Sequence, residues 1–258
     1  MTINDFLKKI ESDIKISNKD YNSDDFYYML KYLGVKKNKG LVSDIEVFYN
    51  DFLKSLNDSL VKYDTRKLNY KENATYYIAF NTLKKADFRE AVKVYFPVKY
   101  EYMISALKTT FMYLIRNSIK ATVKFHVKAT NEGIVIRFYN KKDIRPFINY
   151  CNNNFILKDL LEKSNPFIAT IYGIGLVNDD NTINTYMGTL SDLLQDYFHY
   201  LKGNNILDKT SDLGFLDYIM KRKDNEEDDI VKFNISAVVR NVISILNHES
   251  PINEKDLI

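Results

Sequence analysis

Three basic side chains alternate along one stretch of the chain and could together bind and protonate an anion. In ATVKFHVKAT, residues 121–130, Lys124, His126 and Lys128 stand at every second position between apolar residues. Because side chains alternate across a β-strand, all three should share one face, with successive members roughly 7 Å apart. Repulsion among cations lowers lysine pKa values, so that a lysine can act as a base, and histidine exchanges protons near neutral pH. The pattern indicates phosphate binding with proton transfer, although Lys and Thr are also ordinary on a solvent-exposed sheet face.

A hairpin should follow this strand and bring further donors towards it. Asn131 to Gly133 (NEG) has the composition of a hairpin turn, and residues 134–139 (IVIRFY) have that of a partner strand. Strand alternation places Arg137 on one face with Val135 and Tyr139. By this hairpin argument alone, we expect Arg137 and Lys141 near the basic trio.

An earlier strand is predicted at residues 91–98 (AVKVYFPV). Its valines and Phe96 should point one way, whereas Lys93 and Tyr95 should point the other way. Pro97 should end the strand pairing or lie at an edge of the sheet. Lys93 and Tyr95 therefore share one face of this strand and are candidate phosphate ligands.

The wider pattern predicts an α+β fold with a mainly antiparallel sheet and with helical parts at both ends of the chain. Helical periodicity dominates residues 1–63 and recurs at 100–119, 188–202, 212–222 and 230–247, while 75–80 has the composition of a strand. We expect an N-terminal helical part at 1–72, an α+β core at 73–203 and C-terminal helices at 204–258, all in one compact unit.

The charge of the chain is unevenly distributed. The total formal charge is only +3, but residues 84–145 contain 14 Lys and Arg and 5 Asp and Glu, a net charge of +9. The remainder therefore carries −6. A basic centre built around strands favours an anionic ligand.

Composition excludes several classes of protein. A chain that is 45% hydrophobic is not disordered, and a single cysteine, Cys151, rules out a disulfide framework and a zinc site of several thiolates. No HExxH, CxxC or neighbouring second histidine indicates a metal, and no P-loop or dinucleotide fingerprint indicates a nucleotide, so we expect no metal and no cofactor. The absence of a long apolar run and of a secretory signal predicts a cytoplasmic protein without a membrane span.

The stretch from Lys93 to about Leu201 resembles the HopA-type effector family and its relatives in lanthipeptide biosynthesis. The matching pieces occur in the same order along the chain: VKVYFPV, an amphipathic helix, KFHVKA, GIVIRFY, NPF, GIGLV and the Gly-led helix MGTLSDLLQDYF. The KFH at 124–126 also resembles the strand motif of phosphothreonine lyases. The resemblance covers roughly 110 of the 258 residues.

This resemblance implies a lyase that eliminates phosphate from phosphorylated Ser or Thr in a precursor peptide and leaves a dehydroamino acid. Carried over residue by residue, His126 would be the acid, Lys124 the phosphate-side lysine, and Lys128 a base or phosphate ligand. Lys93 stands where the family usually has an Arg. The implied partners are a phosphorylated precursor peptide and a separate kinase-like protein, with no nucleic acid and no membrane.

One position departs from the family pattern. In the family, the helix after the Gly-rich segment typically carries an Arg three residues beyond its glycine, whereas Gly188 is here followed by Ser191. This leaves room for a relative that only binds, or for another cation such as Arg145 in that role.

Two other functions remain open from the residues alone. The same basic face, interleaved with Tyr95, Phe125 and Tyr139, would suit a non-catalytic module that binds an anion, a phosphopeptide or a nucleic acid. An interaction protein of the effector or immunity type would instead scatter its basic side chains over the surface.

Overall fold

The computed structural model describes residues 1–35, 42–57, 61–70, 73–81, 92–154, 160–162, 165–178 and 185–249. These residues form eight α-helices: α1 (Ile3–Ser17), α2 (Ser23–Lys31), α3 (Val42–Asn57), α4 (Met103–Arg116), α5 (Ile144–Asn154), α6 (Tyr186–Gly203), α7 (Asp212–Asp224) and α8 (Asp229–Leu246). They also form seven strands: β1 (Tyr63–Tyr70), β2 (Asn73–Phe80), β3 (Val92–Phe96), β4 (Ala121–His126), β5 (Ile134–Phe138), β6 (Thr170–Ile171) and β7 (Ile174–Asn178). The predicted α+β fold, with helices towards both ends of the chain, is confirmed.

Two compact units divide the described residues. A helical unit comprises the described parts of Met1–Lys31, Asn165–Ala169 and Val177–Pro251, and a sheet unit comprises those of Tyr32–Ser164 and Thr170–Leu176. The units are therefore not contiguous in sequence, because α1 and α2 group with α6, α7 and α8.

The sheet has the strand order β1-β2-β4-β5-β3-β7-β6. Antiparallel registers join β1 to β2, β2 to β4, β4 to β5, β5 to β3 and β6 to β7. The strand that carries Lys124 and His126 thus lies in the interior of the sheet, between β2 and β5. Side chains of β2, β4, β5 and β3 therefore lie next to one another on each face of the sheet.

One face of the sheet forms the apolar core of the sheet unit. Val94, Ile136, Val123 and Ile78 lie in one row across four strands and none of them is accessible to solvent. Three helices cover this face: Tyr49 of α3 and Phe111 of α4 contact Phe125, and Phe147 of α5 contacts Phe96 and Phe138. Burial of large aromatic and branched side chains is the main stabilising contribution of this layer.

The helical unit has its own aromatic core. Phe6 of α1 contacts Phe167 edge to face, Phe26 of α2 stacks on Phe198 of α6, and Phe167 contacts Phe215 of α7. Side-chain caps begin four of its helices, with Thr2, Thr185, Ser211 and Asp228 accepting bonds from the first-turn amides of α1, α6, α7 and α8. The helices predicted at 188–202, 212–222 and 230–247 are confirmed within two residues at each end.

The structure differs from expectation at two strands. β1 occupies residues that we expected to be part of a helical segment. Its side chains from Asp64 to Asn69 are all exposed, so the sequence has no apolar alternation there that would indicate a strand. Its antiparallel backbone pairing with β2 holds it in the sheet. β4 ends at His126, four residues before the predicted end at Thr130, and β3 ends at Phe96, just before Pro97, as predicted.

Candidate anion-binding site on the sheet

The face of the sheet opposite the apolar core carries most of the predicted site residues. Lys93 lies opposite Arg137, which lies opposite Thr122 of β4. In the next row Tyr95 lies opposite Val135, which lies opposite Lys124. We call the surface formed by Lys93, Tyr95, Lys124, His126 and Arg137 the basic face. Sequence alternation assigned these residues to one face within each strand, and the strand order and registers bring the three sets together.

Burial of the basic face is uneven. Lys93, Tyr95 and His126 are 7%, 4% and 2% exposed, whereas the Lys124 side chain is 21% exposed and Arg137 is half-buried. Lysine is almost never fully buried unless it is paired, so burial of this degree indicates a structured polar environment. A ligand arriving from solvent would meet Lys124 and Arg137 first.

The carboxylate of Glu132 joins two of the basic side chains. Its Oε2 lies 2.7 Å from Lys124 Nζ and 3.2 Å from His126 Nε2, and the Glu132 side chain is 5% exposed. From the sequence alone, Lys124 and His126 would be cations that repel each other. The structure corrects this, because a negative charge between them attracts both and favours a protonated Lys124.

His126 is held on both sides of its ring. Nδ1 lies 2.8 Å from Thr75 Oγ1, and the register places Thr75 directly opposite His126 on β2. A carboxylate oxygen only accepts hydrogen bonds, so Nε2 carries the proton that faces Glu132. The resulting chain from Thr75 through His126 to Glu132 and Lys124 fixes the ring orientation and places a proton on Nε2.

The turn that carries Glu132 is buried and contains polar atoms without partners. Thr130 and Asn131 are 4% and 5% exposed, and neither Thr130 Oγ1 nor Asn131 Oδ1 has a hydrogen-bond partner within the described part of the chain. Asn131 Nδ2 donates to the Leu33 carbonyl at 2.9 Å, which anchors the turn. Buried polar atoms are normally satisfied, so two such atoms beside the basic face mark a place where a polar ligand could bind.

Close backbone packing sets the position of this turn. Gly133 has φ of +59°, and a Cβ at this position would lie 2.2 Å from the Phe96 carbonyl oxygen and 2.6 Å from Val98 N. Only glycine combines this conformation with this approach. Gly133 therefore holds the turn, and with it Glu132, against the end of β3.

Lys128 does not lie on the strand with Lys124 and His126. Val127 N still donates to the Ala74 carbonyl at 3.1 Å, but the chain bends after this point. The Tyr100 hydroxyl donates a hydrogen bond to the Val127 carbonyl. Strand alternation therefore stops before Lys128, which is half-buried in the bend. The expected spacing of three cations along one strand is wrong for its third member.

Two other predicted ligands lie outside the strands of the basic face. Lys141 begins the 3₁₀ turn Lys141–Asp143 after β5, and Arg145 is an exposed residue of α5. Because α5 packs through Phe147 on the apolar face of the sheet, Arg145 is not brought to the basic face. It does not fill the role of the missing Arg.

Ser191, at the position of that missing Arg, has a structural role in its own helix. It is inaccessible to solvent, and its Oγ donates to the Met187 carbonyl at 2.7 Å, one turn earlier in α6. A serine hydroxyl satisfied in this way is not available to a phosphate.

Sequence reasoning missed Thr75 and Glu132 as site residues. Glu132 was assigned only to the turn, although it is the sole acidic residue between Glu101 and Asp143, within a strongly basic stretch. That isolation was the available signal. Thr75 offered none, because its role depends on the pairing of β2 with β4.

Cys151 is not a candidate nucleophile. It is 1% exposed on the core side of α5, and burial raises the pKa of its thiol to about 12. Within the described ranges, no group of three or more His, Cys, Asp or Glu could hold a metal ion. Across the same residues, no helix combines the length and apolar character needed to span a membrane.

Comparison with known proteins adds information on the fold. An effector protein from Pseudomonas syringae pv. syringae strain 61 is similar in structure with a TM-score of 0.60 and 9% identity, covering 84% of this chain and 92% of the effector. An effector protein from Pseudomonas syringae pv. tomato strain DC3000 gives a TM-score of 0.58 at 9% identity, covering 89% and 95%. No protein-family model and no curated protein matches the chain. This chain therefore shares the fold of bacterial effector proteins over most of its length.

Proposed function

We propose that the basic face binds a phosphorylated Ser or Thr side chain of a peptide and eliminates its phosphate. A kinase-like protein would add the phosphate beforehand, and the product would be a dehydroamino acid, as in lanthipeptide maturation. The proposal rests on the sheet-face geometry and on the resemblance of KFH and its neighbouring segments to phosphothreonine lyases.

One observation carries this proposal. Lys124 Nζ and His126 Nε2 converge on a single anionic oxygen, Glu132 Oε2. The same two groups could hold an oxygen of a phosphate, with Arg137 and Lys93 paired in the neighbouring row to neutralise the remaining charge. The unpartnered Thr130 Oγ1 offers one more hydrogen bond at the turn.

The chemistry assigns a role to each group. A base removes the Cα proton, the released electron pair forms the Cα–Cβ double bond, and the Cβ–O bond to phosphate breaks. His126, protonated on both ring nitrogens with Nδ1 donating to Thr75 Oγ1, would deliver the Nε2 proton to the departing oxygen and become neutral. Lys124, Arg137 and Lys93 would stabilise the phosphate and the developing enolate. For this transfer, Nε2 must exchange Glu132 Oε2 for a phosphate oxygen, so the substrate competes with Glu132.

Two lysines are candidates for the base. Lys124 would have to lose the proton that its bond to Glu132 favours, whereas Lys128 lies in the bend just beyond β4. Replacing each in turn by Arg, which keeps the charge but does not deprotonate in proteins, separates the roles. The base variant should lose elimination yet retain phosphopeptide binding.

The test is incubation of the full chain with phosphothreonine and phosphoserine peptides, followed by mass spectrometry. Elimination leaves a product one water lighter than the product of simple hydrolysis. Formation of this species supports the lyase. If the peptides stay phosphorylated under all conditions while binding saturably, the catalytic proposal is rejected.

The second candidate is a non-catalytic protein that binds an anion or phosphopeptide in the manner of an effector. Ser191 favours it, because a phosphate-binding Arg of the resembled lyases is replaced here by a buried serine that bonds to its own helix. This function predicts binding that weakens as salt screens the basic face, with no chemical change in the ligand. A salt titration of phosphopeptide binding distinguishes it from a scattered-charge interaction protein.

A further inference from the structure

A pocket lies in the helical unit. It has a volume of about 200 Å³ and is formed by side chains of α6, α7 and α8, among them Thr189, Asp192, Leu193, Asp196, Asn234 and Ile235. Thr189, Leu193, Asn234 and Ile235 are buried, whereas the two aspartates are exposed, so the buried residues form its floor and the carboxylates its rim. The pocket is large enough for a small organic group, and the proposed lyase makes no use of it.

One residue of the pocket lining carries an unsatisfied acceptor. Asn234 is 3% exposed, and its Oδ1 has no hydrogen-bond partner in the ranges that the structure describes. Most buried polar side-chain atoms are bonded, because an unmade bond costs about 1–3 kcal/mol. An unsatisfied acceptor on a residue that lines a pocket favours a ligand that donates a hydrogen bond.

The charge around the pocket favours a cation. Asp196 forms no ion pair with any described residue, and Asp192 accepts from Ser23 Oγ at 2.5 Å. The one cationic residue of the lining, Arg222, is paired through Nη1 with Glu226 Oε2 at 2.8 Å. Partial desolvation raises the pKa of the Asp196 carboxyl although the residue as a whole is exposed. The charge of Asp192 raises this pKa further, whereas Arg222 and His199 lower it. A bound cation would relieve this unfavourable arrangement.

We propose that this pocket binds an alkylammonium group. The ammonium donates to Asn234 Oδ1 in the field of Asp192 and Asp196, and the aliphatic stem lies against Leu193, Val231 and Ile235. Both a lysine side chain of a partner polypeptide and a free small amine have this chemistry. The site is independent of the basic face and of any elimination reaction.

The test is calorimetric titration of the full chain with n-butylammonium and with Nα-acetyl-lysine amide, whose one cation is its side chain. We expect saturable binding with a Kd of about 1 mM, the range reached by very small ligands. If the lysine derivative binds more tightly, its backbone amides contribute and a polypeptide lysine is the ligand. If n-butylammonium binds more tightly, the ligand is a free amine.

Variants make the test specific. Asn234→Leu and Asp196→Asn should each weaken n-butylammonium binding about tenfold, the equivalent of one lost charge-assisted hydrogen bond. Asn234→Leu removes a buried unsatisfied atom and should keep the fold intact, which circular dichroism checks. The control is Asp217→Asn, an exposed residue of α7 paired with Lys221, which should leave binding unchanged. The proposal is overturned if n-butanol binds equally well, if neither ligand binds, or if both pocket variants bind like the original chain.

Discussion

Glu132 Oε2 lies 2.7 Å from Lys124 Nζ, and both side chains belong to a largely buried part of the sheet unit. A buried carboxylate costs desolvation energy that a single good ion pair only partly recovers. Here the second contact, with His126 Nε2, adds a charge-assisted hydrogen bond. Glu132 therefore has two effects, because it stabilises the folded protein and occupies the cations that an anionic ligand would need.

We expect Glu132→Gln to separate these two effects. The amide keeps the shape of the side chain but loses its charge, so the free energy of unfolding should fall by about 1–3 kcal/mol. Lys124 and His126 should then bind an external anion more tightly, because no internal carboxylate competes. Urea denaturation measures the first effect, and calorimetric titration with phosphothreonine measures the second.

The matched control for this variant is Glu227→Gln, which removes a carboxylate from an exposed position outside the site. Its stability and its affinity for phosphothreonine should equal those of the original chain. If Glu132→Gln loses stability without gaining affinity, Glu132 is purely structural and the basic face is not an anion site.

The proposed lyase predicts that His126→Ala abolishes phosphate elimination. This substitution removes the proton donor, so product formation from a phosphothreonine peptide should fall by about 100-fold or more. Loss of the bonds to Thr75 and Glu132 should also lower stability by about 1–3 kcal/mol. Mass spectrometry follows the product, and near-ultraviolet circular dichroism confirms that the variant is folded.

His199→Ala is the corresponding control, because His199 is an exposed residue of α6. It should eliminate phosphate at the original rate. Unchanged activity in His126→Ala, if wild-type activity is observed, would show that another group protonates the leaving phosphate.

Gly133→Ala should be strongly destabilising. The added methyl group would meet the Phe96 carbonyl at 2.2 Å, and φ of +59° is unfavourable for alanine. We expect a loss of about 2–4 kcal/mol in urea denaturation, because the backbone of the turn that carries Glu132 must move to make room.

Gly203→Ala provides the comparison, because nothing lies within 4 Å of a Cβ at the end of α6. Its stability should be unchanged or slightly increased. A mild effect at Gly133 would mean that the turn can shift at little cost.

We expect the reactivity of the Cys151 thiol and the stability of the folded protein to depend on pH. Its thiol pKa is raised from an ordinary value of 9.0 to about 12 by burial, so the folded protein disfavours the thiolate. The contribution of the protonated thiol to the free energy of unfolding is complete below about pH 9 and is lost as the pH rises towards 12. At pH 8 only about one thiol in 10,000 is ionised in the folded protein, so iodoacetamide should not modify it.

Addition of urea should make the same thiol react quickly, which mass spectrometry detects as a single carbamidomethyl group. Rapid alkylation under native conditions would contradict the buried position of Cys151. Cys151→Ser should remove the adduct in urea and so identify the site of reaction.

Local sequence was sufficient for most of the elements, although not for β1, and for the two faces of β4. Alternation of Val123 and Phe125 with Lys124 and His126 assigned the faces of β4, since a strand has a period of two residues whatever surrounds it. The turn around Gly133 followed from its composition, and the C-terminal helices from their apolar periodicity. These features depend on neighbouring residues in the chain, which the sequence displays directly.

Tertiary structure decided which of these residues form a site. Thr75 is 51 positions from His126 in sequence and meets it only because β2 pairs with β4. Lys128 lies outside the strand, just after the point where the Tyr100 hydroxyl donates to the Val127 carbonyl. Arg145 is separated from the basic face because α5 packs on the apolar side of the sheet. Strand order and helix placement depend on the combined burial of distant side chains, so no local pattern contains them. The sequence by itself thus determined which side of each strand is polar, and the tertiary structure joined these sides into the basic face and placed a carboxylate within it.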